Sequence, residues 1–503
     1  MHGTNWFIHA VARARVYARE NAIAVAIIVC ATALVLGVSA TQSIWLDEGL
    51  SISFSQKSVG ETIRISALSD LHPPLYNMWL HFSGIVLGAH VFAYRFWSAL
   101  AFLCFGFILW EFFRYKGIDK KSALWYLALS LSGPFVLYYA SESRSYMAVM
   151  VVALLNIIAF DRLIDGRGAG KKHGIVYVAT TIVGAYLFYP MLFLNVAQLV
   201  YVFIARRAHV ARWILYWSIA TLAYAPWLIS TVLARLGERP GHFLPIPWWQ
   251  IPAIIGVGFA GGRVAITDIN HVHYYWPTAL AVGVYALALL GITQWRKIKE
   301  KDHVKRIIGI CAITIAVCLV ISYARFPIFD PRYYAEIFPL FIIILIWSLE
   351  AYKDISRAWW RVCIVIILVS HVTLGALYLT HPLFKREQWK VIVPRIEQDM
   401  GVTDAVVFIG PYSIPPTYTT YQKKNVKLIE THPRTISAFN NYQEVEQHLE
   451  RELKGIDRLW YSSFLEWQKD PQHIIRALME KHFRYVKTVG IFKVSFDLYD
   501  RIK

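Results

Sequence analysis

Charged side chains are scarce in this chain. Asp, Glu, Lys and Arg make up 17% of its 503 residues, where soluble domains carry roughly a quarter. Hydrophobic residues make up 57%, and mean hydropathy is +0.43. The shortage excludes an ordinary water-soluble globule and places much of the chain in lipid. Cysteine is equally sparse. Its five copies, Cys30, Cys104, Cys311, Cys318 and Cys363, all fall in apolar stretches, which argues against a disulfide framework or a zinc site and for buried, inert thiols. Internal repeats and low-complexity tracts are absent. Acids are the rarer charge, 33 against 51 basic residues, for a formal charge of +18. Where that excess lies makes it a topology signal, and no nucleic-acid partner is expected.

What is present is a series of long apolar runs. A bilayer core takes about 20 residues of helix. Eleven runs qualify, near 21–40, 91–112, 121–139, 145–160, 175–189, 190–205, 213–233, 275–295, 307–324, 335–351 and 362–380. The fifth and sixth run together at "AYLFYPMLFLN", where Pro190 marks the turn. The first is too long, and lacks the small-residue cleavage pattern, for a removable signal peptide.

Lys and Arg in short connections set orientation. With the N-terminus in the cytoplasm, the inner connections are rich in them, six between 296 and 306 alone. The longer outer loops together hold eight: Lys57, Arg64, Arg144, Arg235, Arg239, Arg263, Arg325 and Arg332. An odd number of spans puts the tail, from His381, outside. Its strand-like "DAVVFIG", "VKLIE", "DRLWYSS" and "FKVSFDLYD" alternate with helical "SIPPTYTTYQKK", "EVEQHLEREL" and "PQHIIRALMEKH". With 19 basic and 15 acidic residues, it reads as a small α/β module. The expected fold class is an α-helical polytopic membrane protein of about 11 transmembrane helices. Residues 1–380 form the membrane module, with a large first outer loop at 41–90, and 381–503 form an extracytoplasmic α/β domain.

The remaining charges gather at the outer turns. The first loop carries Asp47 and Glu48 in "WLDEGLS", then Asp70 and His72 in "SDLHPPLYNMWLHF". Pro73 and Pro74 suit the first turn of a helix, and Trp79, Leu80 and Phe82 suit one lying in the membrane interface. The second turn, "YYASESRSYM", holds Glu142, Arg144 and Tyr146. A longer loop ending in "GGRVAITDINHVHYYW" holds Arg235, Arg239, His242, Arg263 and Asp268. The fourth, "YARFPIFDPRYY", holds Arg325, Asp330, Arg332 and Tyr333. Ionisable groups beside lipid are costly. Mutual salt bridges, Glu142 with Arg144 or Asp330 with Arg332, would account for any one pair; four charged outer turns together point to a site.

"WLDEGLS", "DLHPPLYNMWLHF", "YRFWSAL", "YYASESRSYM" and "FDPRYYAEIFPLF" stand in the order and at the spacings of the polytopic GT-C glycosyltransferases. The set resembles the protein O-mannosyltransferase-like branch, glycosyltransferase family 39, related to the lipid A aminoarabinose transferases. It covers about 41–350, and "KREQWKVIVPRIEQDMGVTDAVVFIG" resembles the start of the outer domain in many bacterial members. Members often have a Tyr-His-Tyr cluster after the fifth span, where this chain has "LFYP". The resemblance implies the GT-C fold and transfer of a monosaccharide, with inversion, from a polyprenyl-phosphate-linked donor on the outer face of the plasma (bacterial inner) membrane. The residues agree about the donor: nucleotide sugars are cytoplasmic, whereas these groups lie outside, so a lipid must carry the sugar. Expected partners are that donor, membrane lipids, and a glycan, lipid or protein acceptor.

Such a transfer needs a base for the attacking hydroxyl and cations for the departing phosphate. The resemblance assigns the base to Asp47. Glu48, the second catalytic candidate, would point the other way in an extended segment and hold the loop or pair with an arginine. Asp70 and His72 would line the same cavity. No cofactor is assigned; a divalent cation on Asp47, Asp70 and His72 stays open, since spacing alone identifies no metal site. Arg332 and Arg325, backed by Arg144 and Arg263, suit the phosphate, because guanidinium matches its oxygens and keeps its charge. Tyr146 and Tyr333 could donate to phosphate or sugar, with Glu142 beside Arg144. The tail carries no catalytic constellation and is expected to shape acceptor access. The alternative, a lipid-linked glycan flippase or transporter, would show polar residues at mid-span and repeated halves. The chief mid-span polar groups, Asn156, Asn195 and Gln198, each suit an interhelical hydrogen bond.

Overall fold

The computed structural model describes residues 16–68, 70, 72–166, 170–205, 210–234, 246–324, 329–409, 414–431, 442–466, 470, 472–491 and 493–502. The chain divides into two compact units, Met1–Ala40 with Ser58–Phe384, and Thr41–Lys57 with Lys385–Lys503. One division falls between Phe384 and Lys385. Residues 41–57, however, group with the tail rather than with the membrane module. The cause is specific pairing: the Ile44 N–H donates to Tyr421 Oη at 2.8 Å, and the Lys390 N–H donates to Ser43 Oγ at 3.1 Å.

The first unit is helical. Among the described residues, eight helices are long and apolar enough to cross a membrane: Ala22–Thr41, Val91–Tyr115, Tyr146–Asp165, Trp248–Val272, Trp276–Thr293, Lys301–Ala324, Pro331–Ile355 and Arg357–Thr380. Lys120–Ser132 and Pro134–Ala140, bent by 58° at Gly133, make a ninth if taken as one span. Pro134 lacks the N–H that would continue the ladder, which places the bend. Lys171–Leu187 and Met191–Ala205 are separated at the Pro190 turn, as expected, and Val210–Ala234 is a further long helix. All five cysteines are free, but only Cys318 and Cys363 are buried; Cys30 and Cys104 lie on the surface of this unit.

Residues 248–272 depart from the sequence reading, which put them in an outer loop. Four glycines and Arg263 depress the hydropathy of "IPAIIGVGFAGGRVAIT". Those glycines serve close packing: a Cβ at Gly256 would meet the Tyr285 ring at 2.3 Å, one at Gly258 would meet Pro331 at 2.4 Å, and one at Gly261 would meet Ala281 at 2.5 Å. Gly262, at φ +60°, breaks the helix where the backbone of Pro134 passes. The odd count that put the tail outside does not include this helix.

The helix Pro74–Leu87 buries Tyr76, Asn77, Leu80 and Ser83 and exposes Trp79, Phe82, Ile85 and Val86 on its other side. An apolar face turned outward is what an interfacial helix requires. Two mid-span polar groups bond between helices as expected: Gln198 Nε2 donates to Asn156 Oδ1 at 2.8 Å, and Asn156 Nδ2 donates to Thr180 Oγ1 at 3.1 Å. Asn195 is buried with no hydrogen-bond partner among the described residues. Where Tyr146–Asp165 meets Lys301–Ala324, Arg306 Nε donates to Asp161 at 2.8 Å. His303 Nδ1 stands 2.7 Å from the same carboxylate, and Arg306 Nη2 lies 3.0 Å from Asp165.

The second unit holds one five-stranded sheet, β1 Asp404–Phe408, β2 Lys427–Glu430, β3 Arg458–Ser462, β4 Phe483–Ile491 and β5 Val494–Arg501, in the order β2-β1-β3-β5-β4. β1 pairs parallel with β2 and β3, and β5 runs antiparallel between β3 and β4. All five residues of β1 are buried, as a parallel strand covered on both faces must be. One face packs Trp389, Ile392 and Ile396, the other Val445, Leu449 and Ile475.

Candidate functional site

In the second unit, Asp47 and Glu48 do not lie on an extended loop. They occupy the first turn of a helix, Leu46–Ser55, where the positive end of the helix dipole favours carboxylates. Successive helical side chains diverge by about 100°, and here the two residues part company. Asp47 is half-buried. Glu48 is sealed and paired with Arg386, with 3.4 Å between Nη1 and Oε2. Arg386 and Glu387 are the residues sequence reasoning missed. Their only signal was the charged "KRE" before a tryptophan, and nothing in the sequence says that it folds back on residues 46–48.

In the first unit, the turn "SESRS" is buried throughout, from Ser141 to Ser145. Ser98 Oγ, donating to the Glu142 carbonyl at 2.6 Å, ties it to the helix Val91–Tyr115. A charged turn held inside is the kind of position that carries function. Arg144 Nη2 stands 2.8 Å from His72 Nε2, and His72 Nδ1 stands 3.0 Å from Asp70 Oδ1. Arg144 Nη2 also stands 3.2 Å from His72 Nδ1, so the guanidinium, which only donates, lies against the imidazole while Nδ1 faces the Asp70 carboxylate. Asn77 Nδ2 donates to the other Asp70 oxygen at 2.8 Å. Burial would raise the Asp70 pKa; His72, then Arg144 and the Asn77 amide, lower it by more, and it lies below the usual carboxylate range. The Tyr146 ring packs edge-on against His72 and Tyr139, and Phe188, from the divergent "LFYP", stacks on His72 with ring centres 6.3 Å apart.

The same unit brings together Arg263, Asp330, Arg332 and Tyr333. Arg263 Nη1 bonds Asp330 Oδ2 at 2.9 Å, the Arg332 N–H donates to Oδ1 at 3.0 Å, and Arg332 Nε lies 3.8 Å from Oδ2. Arg332 Nη2 donates to Tyr333 Oη at 3.3 Å. The closer side-chain partner of Asp330 is therefore Arg263, not Arg332. Two guanidinium groups share one carboxylate, and about a quarter of the Arg263 and Asp330 side chains stays exposed. Burial would raise the Asp330 pKa, but Arg332 and Arg263 hold it down. Arg325, Arg235, Arg239 and His242 lie outside the described residues. Among the described residues, no three His, Cys, Asp or Glu side chains are grouped as metal ligands.

No family profile and no curated protein matches this sequence. Among solved structures, the chain is similar to ArnT from Cupriavidus metallidurans in the apo state. That match has a TM-score of 0.58 at 12% identity and covers 100% of this chain and 99% of that one. ArnT bound to undecaprenyl phosphate gives 0.55 at 12% identity, over 94% and 97%. The chain has the GT-C fold. At such low identity the likeness concerns the fold, and the chemistry has to be argued from this chain's own side chains.

Proposed function

We propose that this chain is a multi-pass inner-membrane glycosyltransferase. It moves one sugar, hexose or pentose, from a polyprenyl-phosphate donor to an acceptor hydroxyl on the extracytoplasmic face. The observation that carries the reading is the likeness over 94% of the chain to ArnT solved bound to undecaprenyl phosphate. The grouping of Arg263 and Arg332 around Asp330, where about a quarter of the Arg263 and Asp330 side chains stays exposed, supports it. The acceptor oxygen attacks the anomeric carbon as the bond from that carbon to the phosphate oxygen breaks, inverting the centre. Asp47 takes the hydroxyl proton. Arg332, Arg263 and Arg325 take the charge that develops on the departing phosphate. The Asp70–His72–Arg144 chain, with Glu142, Tyr146 and Tyr333, orients phosphate or sugar.

The test uses purified protein in vesicles and labelled undecaprenyl-phosphate mannose, glucose, galactose and aminoarabinose, offered in turn with envelope extract as acceptor. Label should pass to acceptor with the parent and not with Asp47→Asn, which should insert and fold normally. Label that crosses the vesicle without being transferred would instead support a flippase. Full activity of Asp47→Asn would remove Asp47 from the base role. Accessibility tags at residue 45 and in the tail check the orientation.

A further inference from the structure

A helix usually begins after Ser, Thr, Asp or Asn, whose side chain accepts one of the unpaired N–H groups of the first turn. The helix carrying Asp47 begins after Trp45, which has no side-chain acceptor. Its first N–H, from Leu46, goes instead to Glu387 Oε2 at 3.0 Å. That oxygen also accepts from Trp389 Nε1 at 2.8 Å, and the Trp389 ring is fully buried. Glu48 Oε2 reaches back to the Trp45 N–H at 3.4 Å, and Arg386 pairs with the same oxygen. Consecutive residues 386 and 387 thus grip residues 48 and 46, one on each side of Asp47. The following turn is fitted as closely: a Cβ at Gly49 would meet Thr417 Oγ1 at 2.4 Å.

We propose that Glu387, with Arg386, is a positioning residue for Asp47, fixing the turn that carries the base so that the tail sets the rate of proton removal. This rests on the reading of Asp47 as the base. Helix ends fray, and a misplacement of about 1 Å in a reacting group can cost about a hundredfold in rate. A sealed ion pair such as Glu48–Arg386 adds little net stability, but it tolerates few geometries. Burial lifts the Glu387 carboxyl to about 7. The Trp389 bond, Lys493 and the Leu46 N–H pull it down, while the charge of Asp47 pushes it up. Above that pH the carboxylate accepts both of its hydrogen bonds more strongly.

Three variants of the full chain, Glu387→Ala, Glu387→Gln and Asp47→Asn, are compared after matching them for gel-filtration profile and melting temperature. The donor is whichever of the four labelled sugars the parent uses. Glu387→Ala should lower kcat about a hundredfold with donor KM within about twofold. Glu387→Gln should recover most of the rate but lose the rise with pH through about 7. Amide exchange at residues 44–49 should accelerate at least tenfold in Glu387→Ala and stay near the parent in Glu387→Gln. Parental exchange there in Glu387→Ala overturns the inference, whatever the activity. So does parental kcat and pH profile in Glu387→Ala alongside a dead Asp47→Asn. An active Asp47→Asn removes the reading of the base itself.

Discussion

Asp161 and Asp330 are each held by two basic side chains in the helical unit, yet their surroundings differ. Asp161 meets Arg306 and His303, with Lys116 at 3.7 Å; Asp165 and Glu300 supply further negative charge, and Asp161, His303 and Arg306 are all sealed. Asp330 meets Arg263 and Arg332, and the groups remain partly open. A sealed, balanced cluster fixes the register of the helices Tyr146–Asp165 and Lys301–Ala324 and offers nothing to a ligand. A partly open cluster leaves its arginines within reach of a ligand. Burial, more than the presence of arginine and aspartate, separates a clamp from a site.

The largest effect should come from the open cluster. Arg332→Ala or Arg263→Ala should lower kcat/KM for the lipid-linked donor about a thousandfold, with the melting temperature nearly unchanged in detergent. Asp161→Asn should do the reverse. Breaking a sealed pair costs about 3–5 kcal/mol, so the melting temperature should drop while transfer per folded molecule stays near the parent. Loss of transfer without loss of stability in Asp161→Asn would erase the distinction.

A smaller effect should appear in melts against pH. The lowered pKa of Asp70 means that its stabilising contribution is complete above the usual carboxylate value near 3.8 and is lost as pH falls through its folded value. Asp70→Asn should therefore flatten the acid limb below about pH 4. Glu387 has the opposite sign: raised from 4.5 to about 7, it makes the folded protein lose stability as pH rises between those values. Glu387→Gln should remove that decline.

The sequence was informative where apolar length or local periodicity carried the signal. Most long helices, the turn at Pro190, the Pro74–Leu87 helix and the α/β tail could all be read from it. The helix over 248–272 could not, because glycines chosen for close packing look like a loop in a hydropathy window. Of the candidate site, the ordered motifs mark Asp70, His72, Arg144 and Arg332, the charged outer turns add Arg263, and contacts then decide their partners. Arg144 meets His72 and Arg263 meets Asp330, pairings between separate helices and turns that no local pattern encodes. The capture of residues 46–48 by 386–387 spans more than three hundred residues and was illegible for the same reason.

The second unit is stitched from two separate stretches of the chain, with some 330 residues of the first unit between them in sequence. During synthesis the segment 41–57 emerges early and must wait for partners at 386–421, made more than three hundred residues later. Contacts this distant in sequence form slowly, so the acidic turn acquires its final shape only once those partners have been made. A nascent or truncated chain already inserted in the membrane would therefore be kept from premature chemistry by unfinished folding alone.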